Sequence, residues 1–555
     1  MTKYPISPLS AVVDNSFARE SERRGMRHLS AVAVSILIGC AACAPARSQS
    51  IPPDIAAIMD KPAYKNSVWG LRVVDLESGQ ALIDLNPQYQ FFIGSVRKVF
   101  TLGEMLNQVG PSHTYDTPIY REGAVNDRGT LKGNLILVAS GDLSMGGRTK
   151  PDGTVAYTEY DHNEANSLGN ALLTKPDPLA GYAALARQIA ASGIKEVTGE
   201  VVIDDRLFKP YLFRDQFSFT PIFVNDDVVD LIIHPTQQGN LASVKHRPRT
   251  AGLGVDNEVM MTAAGSDYSI SPGLPACIGT PNCMATLSGD LPVGFVPPLT
   301  NQYPLIQVFR ITDPSSYART VLIQELRKAG VKVDAPVVEL NPAQLLPAKN
   351  CYQAENRVAE LQGLPYAEDA KFVAKVSYNI GADTSLLLYG VTQGADDMAS
   401  ALVAEKTNLQ ANYGIDPNEY FFVDGSGGGE TTALNRAVTH MLANMTQHPA
   451  FPAYFAALPI MGVDGSLTFV TDFEADSTLA PAKGQIHAKP GTFASGTAEG
   501  LLIKGQAFGG YITTKSGKKL VYQLVVNNVP VESINDLIQI FQDEGTISAT
   551  LWRDN

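Results

Sequence analysis

Apolar residues recur around Trp69, Leu71, Val73 and Val74, and polar residues interrupt them, so Val68 to Asp75 predicts a half-buried strand. Glu77-Ser78-Gly79-Gln80 is a turn and Ala81 to Leu85 a return strand, together a β-hairpin. The spacing then changes. Val96, Val99, Phe100, Leu102, Met105 and Leu106 cover nearly every side of a helix that starts near Gly94 and is stopped by Gly110-Pro111. Beyond Pro111 the pattern predicts short strands at Pro118 to Tyr120, Leu131 to Ala139, Val201 to Asp204, Val259 to Thr262 and Ile306 to Thr312, broken by glycine-rich turns. Two helices lie among them, Tyr182 to Ala191 and Tyr317 to Ala329. From about residue 365 the texture is helical again: Lys371 to Ser377, Thr384 to Gly390, Met398 to Asn412 and Thr431 to Asn444. A strand starting near Gly484 precedes the strands Gly509 to Thr514 and Lys519 to Asn527, and a last helix is predicted over Val531 to Gln542.

This order predicts an α+β, multidomain protein. A helix-and-sheet unit is split into 51–115 and 360–555, and a strand-rich insertion of one or two domains occupies 116–359. Residues 1–50 read as an export leader: Met26-Arg27-His28 is a basic start followed by the apolar run Leu29 to Gly39, too short to span a bilayer. Leu37-Ile38-Gly39-Cys40 resembles a bacterial lipoprotein processing box, which would anchor the chain through a lipid on Cys40; ordinary cleavage near Ala42 to Ser48 is the alternative. Either way the expected location is the periplasm or cell envelope. In that oxidising setting Cys277 and Cys283 are expected to pair, leaving Cys351 buried. The net charge of −13 argues against a nucleic-acid partner. No His/Cys cluster has metal-site spacing, so neither a catalytic metal nor a cofactor is expected.

Candidate chemistry begins in the helix after the hairpin. Ser95 and Lys98 are three residues apart and share a helix face. A hydroxyl becomes a nucleophile when a neighbour takes its proton, and an amine can do so when apolar packing keeps it neutral. The pattern alone is common. Ser192-Gly193-Ile194-Lys195 repeats it at a predicted helix C-terminus, and Ser516-Gly517-Lys518-Lys519 repeats it in a polar turn; neither context suits a nucleophile. Two further clusters add weight: Ser377-Tyr378-Asn379 between helical segments, and Lys489-Pro490-Gly491-Thr492 on a strand preceding the two terminal strands.

In this order the three clusters resemble those of the penicillin-recognising serine acyltransferases, most closely the class C low-molecular-mass penicillin-binding proteins, the D-alanyl-D-alanine carboxypeptidase/endopeptidase family. Gly133 to Leu137 with Ser140-Gly141-Asp142, Gly199 to Asp204, Val423 to Gly427 and Leu458 to Leu467 are similar to further family signatures. The resemblance implies a β-lactamase-like catalytic domain, an antiparallel sheet flanked by helices, carrying inserted domains. It implies peptidoglycan peptides ending in D-Ala-D-Ala as substrates and β-lactams as covalent inhibitors. It casts Ser95 as nucleophile, Lys98 as general base, Ser377 as proton relay and Asn379 as the group that holds both the substrate amide and Lys98. Lys489, with Gly491 and Thr492, would bind the substrate carboxylate, and the N–H groups of Ser95 and Thr492 would form the oxyanion hole.

Pro490 departs from the family, which has Thr or Ser there; proline offers neither hydroxyl nor N–H. Thr492 Oγ is the group expected to compensate. The same departure supports an alternative, a homologue with a decayed site that acts as a cell-wall or partner binding module. A β-lactamase would need a deacylating base, and no Glu stands in a recognisable position for one. Asp161-His162-Asn163-Glu164 looks chemical but reads better as a capped loop; Asp204-Asp205 could bind a cation but reads better as a solvated strand end; His487 shares the strand face of Lys489 and could line the cleft, but is expected outside it.

Overall fold

The computed structural model describes residues 51–297, 299–497 and 500–555. The expected leader, with Cys40, lies outside the described residues. A five-stranded antiparallel sheet joins the two ends of the chain. Its hairpin is β1 (Val68–Asp75) and β2 (Ala81–Leu85), followed by helix α1 (Lys98–Val109). Helix α2 (Asn379–Thr392) comes much later in the chain, and then the strands β3 (Ile486–Thr497), β4 (Gly500–Thr513) and β5 (Lys519–Val531) and helix α3 (Ile534–Asp554). The strand order is β2-β1-β5-β4-β3, so the first hairpin is zipped to the last strand and β3 is an edge.

Alternation along β5 explains the layers. Leu520, Tyr522, Leu524 and Val526 face a core shared with Trp69, Leu71, Ile540 and Ile547 under α3. Val521 and Val525 face the other way, into a core with Val96, Val99 and Val438. That second core is where α1 and α2 pack, and it buries nearly all of α1, as its unbroken apolar character requires.

Among the described residues, three sheets of three or more strands lie between residues 117 and 361, beside the two-stranded hairpin Tyr211–Phe213/Phe217–Phe219. One has six strands, with Thr117–Val125 and Thr130–Val138 at its centre. A second pairs Val228–His234 with Ser243–Arg247 and Leu305–Arg310, and a third is formed by Gly254–Thr262, Ser269–Pro272 and Met284–Pro292. Cys277 and Cys283 form a disulfide just before the last of these strands. Among the described residues no helix is long and apolar enough to cross a membrane.

The structure corrects several sequence expectations. Cys351 is free and exposed rather than buried. The helix expected from Thr431 begins only at Asn435, because Thr432–Ala433 is drawn into a small sheet with Phe91–Phe92. The last helix starts later, at Ile534, and runs past Gln542 to Asp554; Gly545 lets it cross Val470, since a Cβ there would lie 2.2 Å from Val470 Cγ1.

Candidate active site

Ser95 is half-buried in a single 3-10 turn, Gly94–Arg97, that leads into α1, rather than in the α-helix itself. Lys98 opens α1 and is fully buried. Its Nζ is 2.7 Å from Ser95 Oγ, 2.7 Å from Asn379 Oδ1, 2.9 Å from the Ser426 carbonyl and 3.4 Å from Ser377 Oγ. Four oxygens from three distant stretches of chain therefore converge on one amine. Burial is the main force on its charge, and the nearby Arg214 guanidinium acts in the same direction; Asp383, Asp424 and Glu164 oppose them. The balance lowers Lys98 to about 7. At neutral pH a large fraction of the amine is uncharged and can accept the Ser95 proton.

The second cluster is held under strain. Ser377 has φ 60°, a left-handed conformation unfavourable for a side chain, between the helix Tyr366–Lys375 and α2. That bend turns its hydroxyl and the Asn379 amide towards Lys98. Lys375 fixes the preceding turn through Asp464 at 2.7 Å and the Leu458 carbonyl at 2.6 Å.

The third cluster lies on the edge strand β3, where a proline does not disturb the sheet. Ile486 and Ala488 face the core under α3, and Thr492 follows the same parity: its hydroxyl donates to Gln506 Oε1 at 2.5 Å, and Gln506 in turn to Glu544. The proton of Thr492 Oγ is thus committed away from Ser95. Gly491 faces the Ser95 turn so closely that a Cβ on it would be 2.9 Å from Ser95 N, and a Cβ on Gly94 would be 2.9 Å from Thr492 N. The Ser95 turn and the backbone of β3 at Gly491-Thr492 therefore pack in direct contact. Lys489 is fully buried, and its Nζ donates to the Pro490 carbonyl at 2.7 Å. Burial first, and Lys98 second, push it well below the ordinary lysine range. The cation expected of Lys489 is turned inward in this state.

A loop that the sequence marked only as a family signature completes the site. Asp424 Oδ1 accepts from the N–H groups of Ser426, Gly427 and Gly428 at 3.0, 2.7 and 3.1 Å, a nest that presents the Ser426 carbonyl to Lys98. Thr101 and Arg97 of the Ser95 turn and α1 hold the same loop through the carbonyls of Gly425 and Asp424. Two residues from the long middle segment also arrive here. Arg214, with φ 46° at the tip of the hairpin Tyr211–Phe213/Phe217–Phe219, donates to Ser426 Oγ at 3.3 Å. Glu164 accepts from Asn379 Nδ2 at 2.8 Å. Arg214 stands in no motif; Glu164 ends the stretch Asp161-His162-Asn163-Glu164, which reads as a capped loop in the sequence, and contact across the sheets brings it to the site instead.

The remaining candidates lie elsewhere. Ser192 caps the end of its helix and Ser516 sits in a hairpin turn. His487 stacks on Phe455 with ring centroids 4.1 Å apart. Asp204 is buried against Arg206 and Tyr352 rather than solvated. Asp161, His162 and Asp226 lie close enough together to suggest a cation, but Arg148 donates to both carboxylates and fills that role.

Comparison with known proteins gives a consistent family. The model of the D-Ala-D-Ala carboxypeptidase 3 (S13) family matches residues 52–542. A D-alanyl-D-alanine carboxypeptidase of Actinomadura sp. (strain R39) is 25% identical over 512 residues, 87% of this chain and 82% of its own. The fold is similar to that of penicillin binding protein 4 from Haemophilus influenzae, with TM-score 0.66 and 17% identity over 90% of this chain and 99% of that one. The same protein complexed with a β-lactam gives TM-score 0.64 at 18% identity, over 90% of this chain and 99% of that one.

Proposed function

The chain belongs to the D-Ala-D-Ala carboxypeptidase 3 (S13) family of serine-type hydrolases, and on that premise we propose that Ser95 is its acylated nucleophile. The observation that carries this reading is the 2.7 Å contact between Nζ of the fully buried Lys98 and Oγ of the half-buried Ser95. Ser95 Oγ attacks the carbonyl between two D-alanines while Lys98 takes its proton. The N–H groups of Ser95 and Thr492 receive the negative charge that develops on the carbonyl oxygen. As the tetrahedral intermediate collapses, the C–N bond breaks and the leaving amine gains a proton through Ser377, which is 3.4 Å from Lys98 Nζ. Water then attacks the ester and passes its proton to Lys98, which returns a proton to Ser95 Oγ as the ester C–O bond breaks. A penicillin enters the same first step by opening of its β-lactam ring.

Endopeptidase cleavage of D-Ala cross-bridges needs only a larger leaving amine, so the proposal includes it. The export leader and cell-envelope location belong to the proposal too, because the substrate lies outside the cytoplasm. The test is release of D-alanine from a peptide ending in D-Ala-D-Ala. Release that is lost in Ser95→Ala supports the reading; a folded wild-type protein that releases none supports the binding-module alternative raised by Pro490.

A further inference from the structure

The Asn379 side chain has a donor end and an acceptor end of nearly equal size. Its Oδ1 accepts from Lys98 Nζ at 2.7 Å, and its Nδ2 donates to Glu164 Oε1 at 2.8 Å. Turned end for end, the amide would set its N–H groups against the amine and its oxygen against a carboxylate, two mismatches at once. A carboxylate only accepts, so Glu164 selects one orientation. We propose that Glu164 is a positioning residue for acylation, which holds the Asn379 oxygen towards Lys98 and supplies negative charge beside the lysine. The inference rests on the reading of Ser95 as nucleophile.

The surroundings of Glu164 are built to keep it there. It ends the short turn His162–Glu164. Arg310 donates to the Asn163 carbonyl at 2.5 Å, and His162 bridges Asp230 and Asp226 at 2.5 and 2.7 Å. Tyr378, the neighbour of Asn379, donates to the Asp226 backbone carbonyl at 3.3 Å. Both partners of the Glu164–Asn379 bond are therefore tied to one buried cluster. The charged groups facing Lys98 are Glu164, Asp383 and Asp424 on the negative side, and Arg214 and Lys489 on the positive side. Glu164 is the member of this set that hydrogen-bonds the Asn379 side chain, whose oxygen is a ligand of the amine.

The test is the acylation rate with a fluorescent penicillin, measured from about pH 5.5 to 9 across the titration of a general base. Wild type, Glu164→Gln and Glu164→Ala are compared, with folding verified by thermal melting. Glutamine can still accept through its amide oxygen, so its plateau rate should stay within about threefold of wild type, while alanine should lose about tenfold or more. The midpoint of the acid limb should fall in both variants, because loss of a nearby negative charge disfavours the ammonium form. The inference is overturned if alanine acylates at the wild-type rate, if glutamine is as slow as alanine, or if the midpoint does not move. If the alanine variant does not fold, the midpoint in Glu164→Gln decides alone. A wild-type protein that takes no label overturns the Ser95 reading and this inference with it, whereas a labelled wild type with an unmoved midpoint overturns the inference only.

Discussion

Lys98 Nζ sits 2.7 Å from Ser95 Oγ and is equally close to Asn379 Oδ1, so a residue of α1 and the first residue of α2 meet at one amine. Burial, reinforced by Arg214, holds that amine near 7, against 10.5 for an ordinary lysine. The amine works as a base only when neutral, so acylation should rise with pH and be half-maximal near pH 7. A rate that keeps climbing towards the ordinary lysine range would contradict this. Lys98→Arg keeps the positive charge at all accessible pH and should slow acylation about 10²–10⁴-fold, the usual worth of a general base.

Gly427 is pressed against the Ser95 turn. It has φ 98°, and a Cβ on it would lie 2.0 Å from the Gly94 carbonyl oxygen. Gly427→Ala must push that turn away from the Ser426 carbonyl, at a cost of about 1–3 kcal/mol. Acylation should slow by about tenfold or more, corresponding to at least 1.4 kcal/mol, while the protein stays folded. Wild-type acylation by the alanine variant would show that the turn and the loop are not coupled.

Pro490 removes a hydroxyl where the resembling family has one, and Lys489 is turned inward to the Pro490 carbonyl. Pro490→Thr should raise kcat/KM for a peptide with a free terminal carboxylate about tenfold, the effect of one hydrogen bond to a charged group. An amide-capped peptide should gain nothing. Equal gains on both peptides would remove the carboxylate from the explanation.

His162 is buried between Asp226 and Asp230. Burial alone would lower its pKa, but Asp230 and Asp226 outweigh it and raise it to about 9 from the ordinary 6.5. A group raised in the folded state contributes its stability fully below the unfolded value and loses it as pH rises through the folded value. The melting temperature should therefore decline between about pH 6.5 and 9. A melting temperature that is flat across this window would mean that His162 is not charged in the folded protein.

Much of the architecture is written in local pattern. The period-2 alternation at Val68 to Asp75 and the all-round apolar run from Val96 to Leu106 specify a hairpin and a buried helix, and β1 and α1 are where those patterns lie. Strand Val228–His234 was not legible, because Asp230 interrupts its apolar run; the structure pairs that carboxylate with His162 and Arg247 instead of solvent. Ser95, Lys98, Ser377 and Asn379 stand out because short spacing and local context restrict them. Arg214 does not, and Glu164 shows in the sequence only as the end of a loop read as capped, since the approach of both to Lys98 depends on how sheets far apart in sequence pack. The direction of Lys489 was equally hidden: strand parity gives its face but not the bend of a long side chain towards its neighbour's carbonyl.

Intact-protein mass after exposure to a penicillin tests the central claim most directly. One added penicillin per chain is expected in the wild type and in Ser192→Ala, and none in Ser95→Ala. An adduct that persists in Ser95→Ala, or its absence from folded wild-type protein, would contradict the assignment of Ser95.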